Sequence, residues 1–559
     1  MAGFGRFSAP RRVLHKTVPS EGNTGSAERR GSVSFSVSLP METTGCTLSV
    51  LSDDTGEIRN YAVYDGKIKL SCEELCGGAC DGLFFYKFIV KTQSGSYEIV
   101  RAADGISDTL RDRRDGFDGA FVLTVYEKRN NPPSWLYGGI IYHIFVDRFF
   151  RGGDEPCRED AVINGDWENG IPPYVKKPGD RLDNNVFFGG DLYGIIKKLP
   201  YISSLGVTCI YLSPVFEAYS NHKYDTGNYD KVDDMFGGEE AFSSLADECE
   251  KCGIKLILDG VFNHTGDDSI YFNRRGRYGN GGAYRDRNSP YYEWYHFTEY
   301  PEKYESWWGI DVLPRVMSDT PSYKAYIFGE KGVIRKRLRE GVGGFRLDVA
   351  DELSDEFLSE LKTAAETEKK DCVIIGEVWE NAAEKISYGR RRKYLRGKEL
   401  DSVMNYPIRT AIISYLREGD CAAFLKNVTA VYDEYPPEAQ SVLMNIIGTH
   451  DTERIITALA GESPVGKSQD EKAVYKMTDE QYEKGAELVK AAYLLSMVLP
   501  GVPCIYYGDE AGMQGYSDPF NRRPYIWGRE NTELIAFYRK LGEIRKREKA
   551  LFLGDMRVV

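Results

Sequence analysis

Histidine is scarce in this chain, 6 in 559 residues, and positive charge is outnumbered, with 72 Lys and Arg against 85 Asp and Glu. The resulting net charge of −13 has no basic stripe to offset it. An acidic surface repels phosphate backbones, so no nucleic-acid partner is expected. Long apolar runs are missing as well. The longest, Ala491 to Tyr507, is interrupted by Pro500 and Pro503 and is too short to span a bilayer. The opening MAGFGRFSAPRRVLHK lacks the apolar stretch and small-residue cleavage site of a secretory leader. The 11 cysteines are odd in number and scattered, unlike the disulfide framework of a small secreted domain. Cys72, Cys76 and Cys80 recur every fourth residue, and Cys249 with Cys252 forms one CxxC. Neither group has the further His or Cys that a four-ligand zinc site needs. Free thiols in a reducing cytoplasm, with no membrane attachment, are the expectation.

What is present is enough to build a large core. Hydrophobic residues make up 42% of the chain, which excludes wholesale disorder. The 38 tyrosines and 7 tryptophans exceed ordinary usage and suit surfaces that stack on sugars, although most must be core. Residues 1–30 are rich in Arg, Gly and Ser without periodicity and read as a flexible arm. From 31 to 128 the runs VSFSVSL, TLSVL, LFFYKFIV, YEIVRA and AFVLTVY are short, β-like and separated by turn residues, the pattern of an antiparallel β-sandwich. Tyr61, Tyr64, Phe84 and Tyr86 are its candidates for a glucan-binding surface. Strand alternation makes most of them core by default. Residues 129–137 read as a Pro-containing linker.

From 138 to 555 the texture changes to apolar β-rich runs alternating with amphipathic helical stretches. Eight runs qualify as buried strands, at 139–149, 208–216, 255–264, 343–349, 372–379, 402–408, 442–451 and 502–510. Eight βα units predict a (β/α)8 TIM barrel. The connection over 265–320 is far too long for a simple loop and reads as an inserted subdomain over the active face.

TIM-barrel chemistry sits at the C-terminal ends of the strands. There the sequence places Asp259, Asn263 and His264 after the third run, Arg346 and Asp348 after the fourth, Glu377 after the fifth, and His450 and Asp451 after the seventh. His222 and Tyr224 follow the second, in NHKYDTGNYD. Any one polar residue could merely cap a strand; the whole set could not. Several carboxylates without a phosphate-gripping glycine loop suit glycoside hydrolysis, which needs two carboxyl groups flanking the scissile bond. Arg346, two residues before Asp348, shares its side of the strand and would keep it ionised. Glu377 beside other carboxylates would have a raised pKa, as a general acid requires. Asp451 would stabilise positive charge in the transition state. The histidines would bind sugar hydroxyls, and Tyr224 would stack beneath a sugar ring.

DGVFNH (259–264), GFRLDVADE (344–352), GEVWE (376–380) and IGTHD (447–451) occur in the order of the four motifs of glycoside hydrolase family 13. Over about residues 139–550 the chain resembles that α-amylase family. HKYDTGNYD, ESWWGIDVLPRV and YGDEAGMQGYSDPFNRRPYIW are similar to its neopullulanase, cyclomaltodextrinase and amylopullulanase branch. The resemblance implies that Asp348 is the nucleophile, Glu377 the general acid/base and Asp451 the transition-state stabiliser. It implies that Arg346, His264, His450, His222 and Tyr224, with Trp379, shape the sugar site, and that Asp259 is structural. The implied reaction is retaining hydrolysis of α-glucosidic bonds, mainly α-1,4 with some α-1,6, in starch, maltodextrin, pullulan or cyclodextrins. Transglycosylation on the same site and a non-catalytic glucan-binding protein are the alternatives.

Branch members usually carry a calcium loop after the first strand. Here Arg151 and glycines stand where ligands are usual, leaving Asp147, Asp154 and Asp191 as candidate oxygen donors, so no required cofactor is expected. Met317 stands where the branch often has Asn in an LPxxN string. The family also ends in an all-β domain, which is expected to be missing after the helix at 532–549. A homodimer partner covering the exposed barrel, or the sandwich, is the corresponding expectation.

Overall fold

The structure is a computed structural model describing residues 13–18, 25–78, 81–105, 107–128, 132–153, 158–177, 179–180 and 182–553. Cys80 and Asp154 lie outside these residues, as does most of the segment read as an arm.

The N-terminal part is built from two sheets. Ser32–Val37 pairs antiparallel with Val13–Val18 and Lys67–Ser71. The larger sheet is centred on Gly82–Thr92 between Thr43–Ser52 and Phe121–Tyr126. One core unites them, with Phe35 edge-on to Tyr86 at 5.0 Å. Two corrections follow. Val13–Val18 and Ser26–Glu28 are strands, not a flexible arm. Ser26–Glu28 also pairs parallel to Thr124–Tyr126, so the sandwich is not wholly antiparallel. Of the four candidate glucan-binding aromatics, Phe84 and Tyr86 are buried, Tyr61 packs against the core and Tyr64 alone is exposed.

The second part is a parallel barrel of eight strands: β1 (Ile141–Ile144), β2 (Cys209–Leu212), β3 (Lys255–Gly260), β4 (Gly344–Leu347), β5 (Val373–Gly376), β6 (Ser402–Val403), β7 (Met444–Ile446) and β8 (Val502–Tyr506). Their order runs β6-β5-β4-β3-β2-β1-β8-β7, and a parallel bridge between Met404 and Met444 closes the ring. Each strand is shorter than its apolar run, because pairing ends where the run turns outward to carry polar groups over the rim. The interior is filled by Ile141, Tyr211, Ile257, Ile375, Met444 and Cys504, the bulky layers a closed barrel needs. Leu136 joins this cluster and Trp135 Nε1 donates to Asp371 O at 2.9 Å. The end of the expected linker is therefore packed structure rather than a spacer.

Helices cover the ring and begin on side-chain caps: Asp191 for Leu192–Ser204, Ser354 for Asp355–Glu368, Thr478 for Asp479–Val498 and Asn531 for Thr532–Arg547. The β5–β6 connection has no helix. It carries a short hairpin, Ile386–Ser387 with Arg390–Arg391, and the sandwich lies against it. Residues 265–320 form a largely irregular insert around Phe272, Tyr295, Phe297 and Tyr304. Among the described residues no helix is long and apolar enough to cross a membrane.

Arg101 of the sandwich pairs with the fully buried Glu434 at 3.0 Å, and Asn381 donates to the same carboxylate at 2.7 Å. Burial, then the neighbouring Glu384 carboxylate, pushes Glu434 up to about 8 against the Arg101 cation. A carboxyl raised in the folded state stabilises the fold fully below its unfolded value, about 4.3. That stability is lost as pH rises through about 8. Glu434→Gln is therefore expected to flatten the decline in Tm between pH 5 and 8.5, measured by calorimetry. An unchanged slope would refute the assignment.

Candidate active site

The C-terminal rim gathers the carboxylates around one cation. Arg346, on β4 and fully buried, places Nη1 2.8 Å from Asp259 Oδ1 and 3.0 Å from Asp348 Oδ1. Its Nη2 lies 2.7 Å from Glu377 Oε2, an ion-pair contact without hydrogen-bond alignment. Three carboxyl groups against one guanidinium leave excess negative charge in a buried space, which favours retention of a proton by the cluster. Burial, with Glu377 and Asp259 adding to it, pushes the Asp348 carboxyl well up against the pull of Arg346. The Asp348 carboxyl is therefore not simply kept ionised by Arg346, as its place two residues along the strand suggests: desolvation outweighs the single cation. Burial also raises Asp259, opposed by Arg346 and by the Tyr211 and Tyr224 hydroxyls, which donate to Oδ2 at 2.5 and 2.9 Å.

Glu377, at the end of β5, is held at both oxygens: the Val349 amide donates to Oε2 and Trp379 Nε1 to Oε1, each at 2.9 Å. Val349 adopts φ 41°, ψ 61°, costly for a β-branched residue. Strain of this kind collects at functional sites, and here it turns the amide after Asp348 towards Glu377. Asn263 Nδ2 is 3.3 Å from Asp348 Oδ2.

Asp451 faces the cluster from β7, with Arg522 Nη2 at 3.1 Å and His450 Nε2 at 3.2 Å. Tyr224 donates its hydroxyl proton to Asp259, so His450 carries its own proton at Nε2, 2.6 Å from the Tyr224 oxygen. The two rings stack, 5.2 Å apart and 8° from parallel. Burial holds His450 well below its ordinary pKa, with Arg522, Arg346 and His222 adding to it. Burial likewise takes His222 to about 3 and His264 to about 4. All three are neutral donors at physiological pH. His222 Nδ1 contacts Ser220 Oγ at 3.0 Å, and His264 Nε2 contacts Tyr224 O at 3.0 Å.

These side chains line a cleft of about 1320 Å³. Its mouth carries three unusually exposed aromatics: Trp308 at 79%, Tyr388 at 71% and Trp379 at 48% of full exposure. Trp379 stacks on Tyr406, centroids 4.0 Å apart. Trp308 and Tyr388 both sit at positive φ, 51° and 50°, and both donate to Glu352 Oε1, at 3.2 and 2.5 Å. Glu352 thus latches two strained aromatics from different loops.

The site as structured unites Asp348, Glu377, Asp451, Arg346, His222, His264, His450, Tyr224 and Trp379. Sequence reasoning missed several of their supports. Arg522 lies in YGDEAGMQGYSDPFNRRPYIW, a string that by sequence marks only the branch. His143 interrupts the apolar run IYHIF on β1, stacks on Tyr211 at 4.3 Å and meets His450 edge-on at 5.2 Å. Tyr388 and Glu352 had no sequence signal beyond their residue types.

The donor set after β1 does not fit calcium among the described residues. Asp147 accepts the Phe188 and Gly189 amides and Arg148 Nε. Asp191 accepts the amides of Gly152, Gly153 and Gly194. Their lone pairs are occupied by N–H donors, whereas a calcium ion needs six to eight free oxygens. Arg151 adds a cation there, donating to Phe188 O at 2.8 Å.

The α-amylase catalytic-domain profile matches residues 143–534. The chain belongs to the α-amylase family. Amylopullulanase of Thermoanaerobacterium saccharolyticum is 37% identical over 483 residues, covering 78% of this chain and 36% of the relative. Neopullulanase 2 of Thermoactinomyces vulgaris is 34% identical over 436 residues, covering 76% and 65%. The solved cyclic α-maltosyl-(1→6)-maltose hydrolase of Arthrobacter globiformis matches with TM-score 0.63 at 29% identity, covering 76% of this chain and 86% of that one. This family member spans between a quarter and about a third of the length of the amylopullulanases it matches.

Proposed function

We propose that this α-amylase-family chain hydrolyses α-glucosidic bonds in maltodextrins and related α-glucans with retention of configuration. The observation that carries the reading is a single buried guanidinium holding Asp348 and Glu377 together at 3.0 and 2.7 Å beneath an aromatic-lined cleft. In the reacting state the one proton that the crowded cluster retains is carried by Glu377, so that Asp348, as the carboxylate paired with Arg346, attacks the anomeric carbon while Glu377 protonates the departing glycosidic oxygen. A glycosyl ester on Asp348 results; Glu377 then takes a proton from water, which releases the sugar. Asp451, braced by Arg522 and His450, faces the positive charge that develops on the ring. Neutral His222, His264 and His450 suit sugar hydroxyls, since a charged imidazolium would add to the positive charge that Asp451 offsets.

Product analysis on pullulan tests the reading. Panose identifies α-1,4 cleavage and maltotriose α-1,6 cleavage; NMR of the first product reports retention. Wild-type protein that leaves pullulan, starch and cyclodextrins intact would overturn it. The exposed aromatics beside Glu377 favour acceptor sugars as well as water, so transglycosylation products are expected at high maltose. No metal is required in this reading, and EDTA dialysis is expected to leave kcat within twofold. A calcium-restored loss of activity would contradict that. The reading extends to a homodimer in the cytoplasm: Cys46, Cys72, Cys209, Cys249, Cys252, Cys372, Cys421 and Cys504 are free thiols, and Leu494 and Val498 lie exposed one turn apart on one helix. Sedimentation velocity tests the dimer.

A further inference from the structure

The β5–β6 connection carries Glu377, Trp379 and Tyr388, yet has no helix to anchor it on the outside of the barrel. Its hairpin is tied to the barrel on one side by Ser387 Oγ and Arg392 Nη1, which donate to Asp351 O at 3.1 and 2.8 Å. The other side rests on the sandwich. Arg391 forms a two-pronged pair with Asp53, Nε to Oδ2 at 2.8 Å and Nη2 to Oδ1 at 3.1 Å, and lies over the Phe85 ring. Arg396 pairs with Asp54 at 2.6 Å, and Lys398 with Asp81 at 3.1 Å. Gly397, at φ 98°, lets the backbone of Glu127 approach so closely that a Cβ there would fall 1.8 Å from its carbonyl oxygen. Bidentate Arg–carboxylate pairs fix orientation as well as distance. The residues Arg391 holds in place lead directly to the hairpin turn, where Tyr388 stands at positive φ with its hydroxyl on Glu352. Tyr388 and Glu352 also border a second cavity of about 810 Å³ behind the cleft mouth, so a displaced Tyr388 has space to leave the cleft.

We propose that Asp53 of the sandwich is a positioning residue for the leaving-group side of the cleft, acting through Arg391 on the aromatic ring of Tyr388. The inference rests on the hydrolase reading above. Glu377 delivers its proton to the oxygen of the departing sugar, so the connection that bears Glu377 and Tyr388 flanks that sugar and those beyond it. The sandwich thereby sets affinity for long acceptors without touching them.

The test compares two substrates in the full chain. Amylose places glucose units on both sides of the scissile bond, whereas p-nitrophenyl α-maltoside cleaved at its aryl bond has no sugar on the leaving side. Asp53→Ala is expected to raise KM for amylose about five- to tenfold with kcat within twofold, and to leave both constants for release of nitrophenol within twofold. Tyr388→Ala is expected to raise KM for amylose similarly, and adding Asp53→Ala to it to change nothing further, because both act through one ring. An equal loss on both substrates, no change on either, or additive effects in the double variant would each overturn the proposal. If wild-type protein cleaves neither substrate, the hydrolase reading itself fails. A Tm within a few degrees of wild type excludes unfolding as the cause, and Arg391→Lys, which retains charge without the fork, is expected to reproduce the Asp53→Ala rise in KM.

Discussion

Replacing Asp348 with Asn is expected to lower kcat on maltodextrins by about 10⁴-fold or more, because the amide cannot form the glycosyl ester. The same change is expected to raise Tm. Asp348 is buried among Glu377, Asp259 and a single guanidinium, so a neutral side chain of equal size relieves like-charge crowding at the cost of function. Reducing-sugar release and calorimetry measure the two effects. A variant that loses activity and also melts well below wild type would mean that the carboxylate is chiefly structural. Retention of more than about 1% of the rate would move the nucleophile elsewhere.

Arg346→Met is expected to be damaging in both respects. Removing one partner from a buried charge network leaves the rest uncompensated, at about 3–5 kcal/mol, and here three carboxyl groups depend on the same cation. A loss of about 3–6 °C in Tm follows for a domain of this size, with activity below detection because Asp348 and Glu377 lose their common anchor. The loss has a pH signature. Burial already raises Asp348 and Asp259 while Arg346 pulls both down; without the cation both rise further. Carboxyls raised in the folded state cost nothing while they remain protonated, and their contribution is lost as pH rises through their folded pKa. The gap in Tm between wild type and variant should therefore be narrower at pH 5 than at pH 8. A gap independent of pH would show that the side chain contributes packing alone.

Asp53 and Arg391 bear on the same chemistry from a distance. The sandwich occupies the place where a helix would ordinarily brace the β5–β6 connection, so its loss is predicted to affect selectivity before rate.

Much of this was legible in the residue order. A parallel strand enclosed on both faces must be a nearly unbroken apolar run, and the chemistry of a closed barrel must lie where those runs end. The polar residues at the ends of runs three, four, five and seven therefore point to Asp259, His264, Arg346, Asp348, Glu377, His450 and Asp451, and the motif resemblance implies their roles. Strand lengths were overestimated, because apolar character continues past the last ladder bond. The helix-free β5–β6 connection, the docking of the sandwich, the Glu352 latch on Trp308 and Tyr388, and the bracing of Asp451 by Arg522 came only from the tertiary structure. The last three are pairings between segments apart in the chain, from 36 residues for Glu352 and Tyr388 to 338 for Asp53 and Arg391. Periodicity encodes which face of an element is buried; it carries no record of which distant charge will meet it, because that depends on how the finished elements pack.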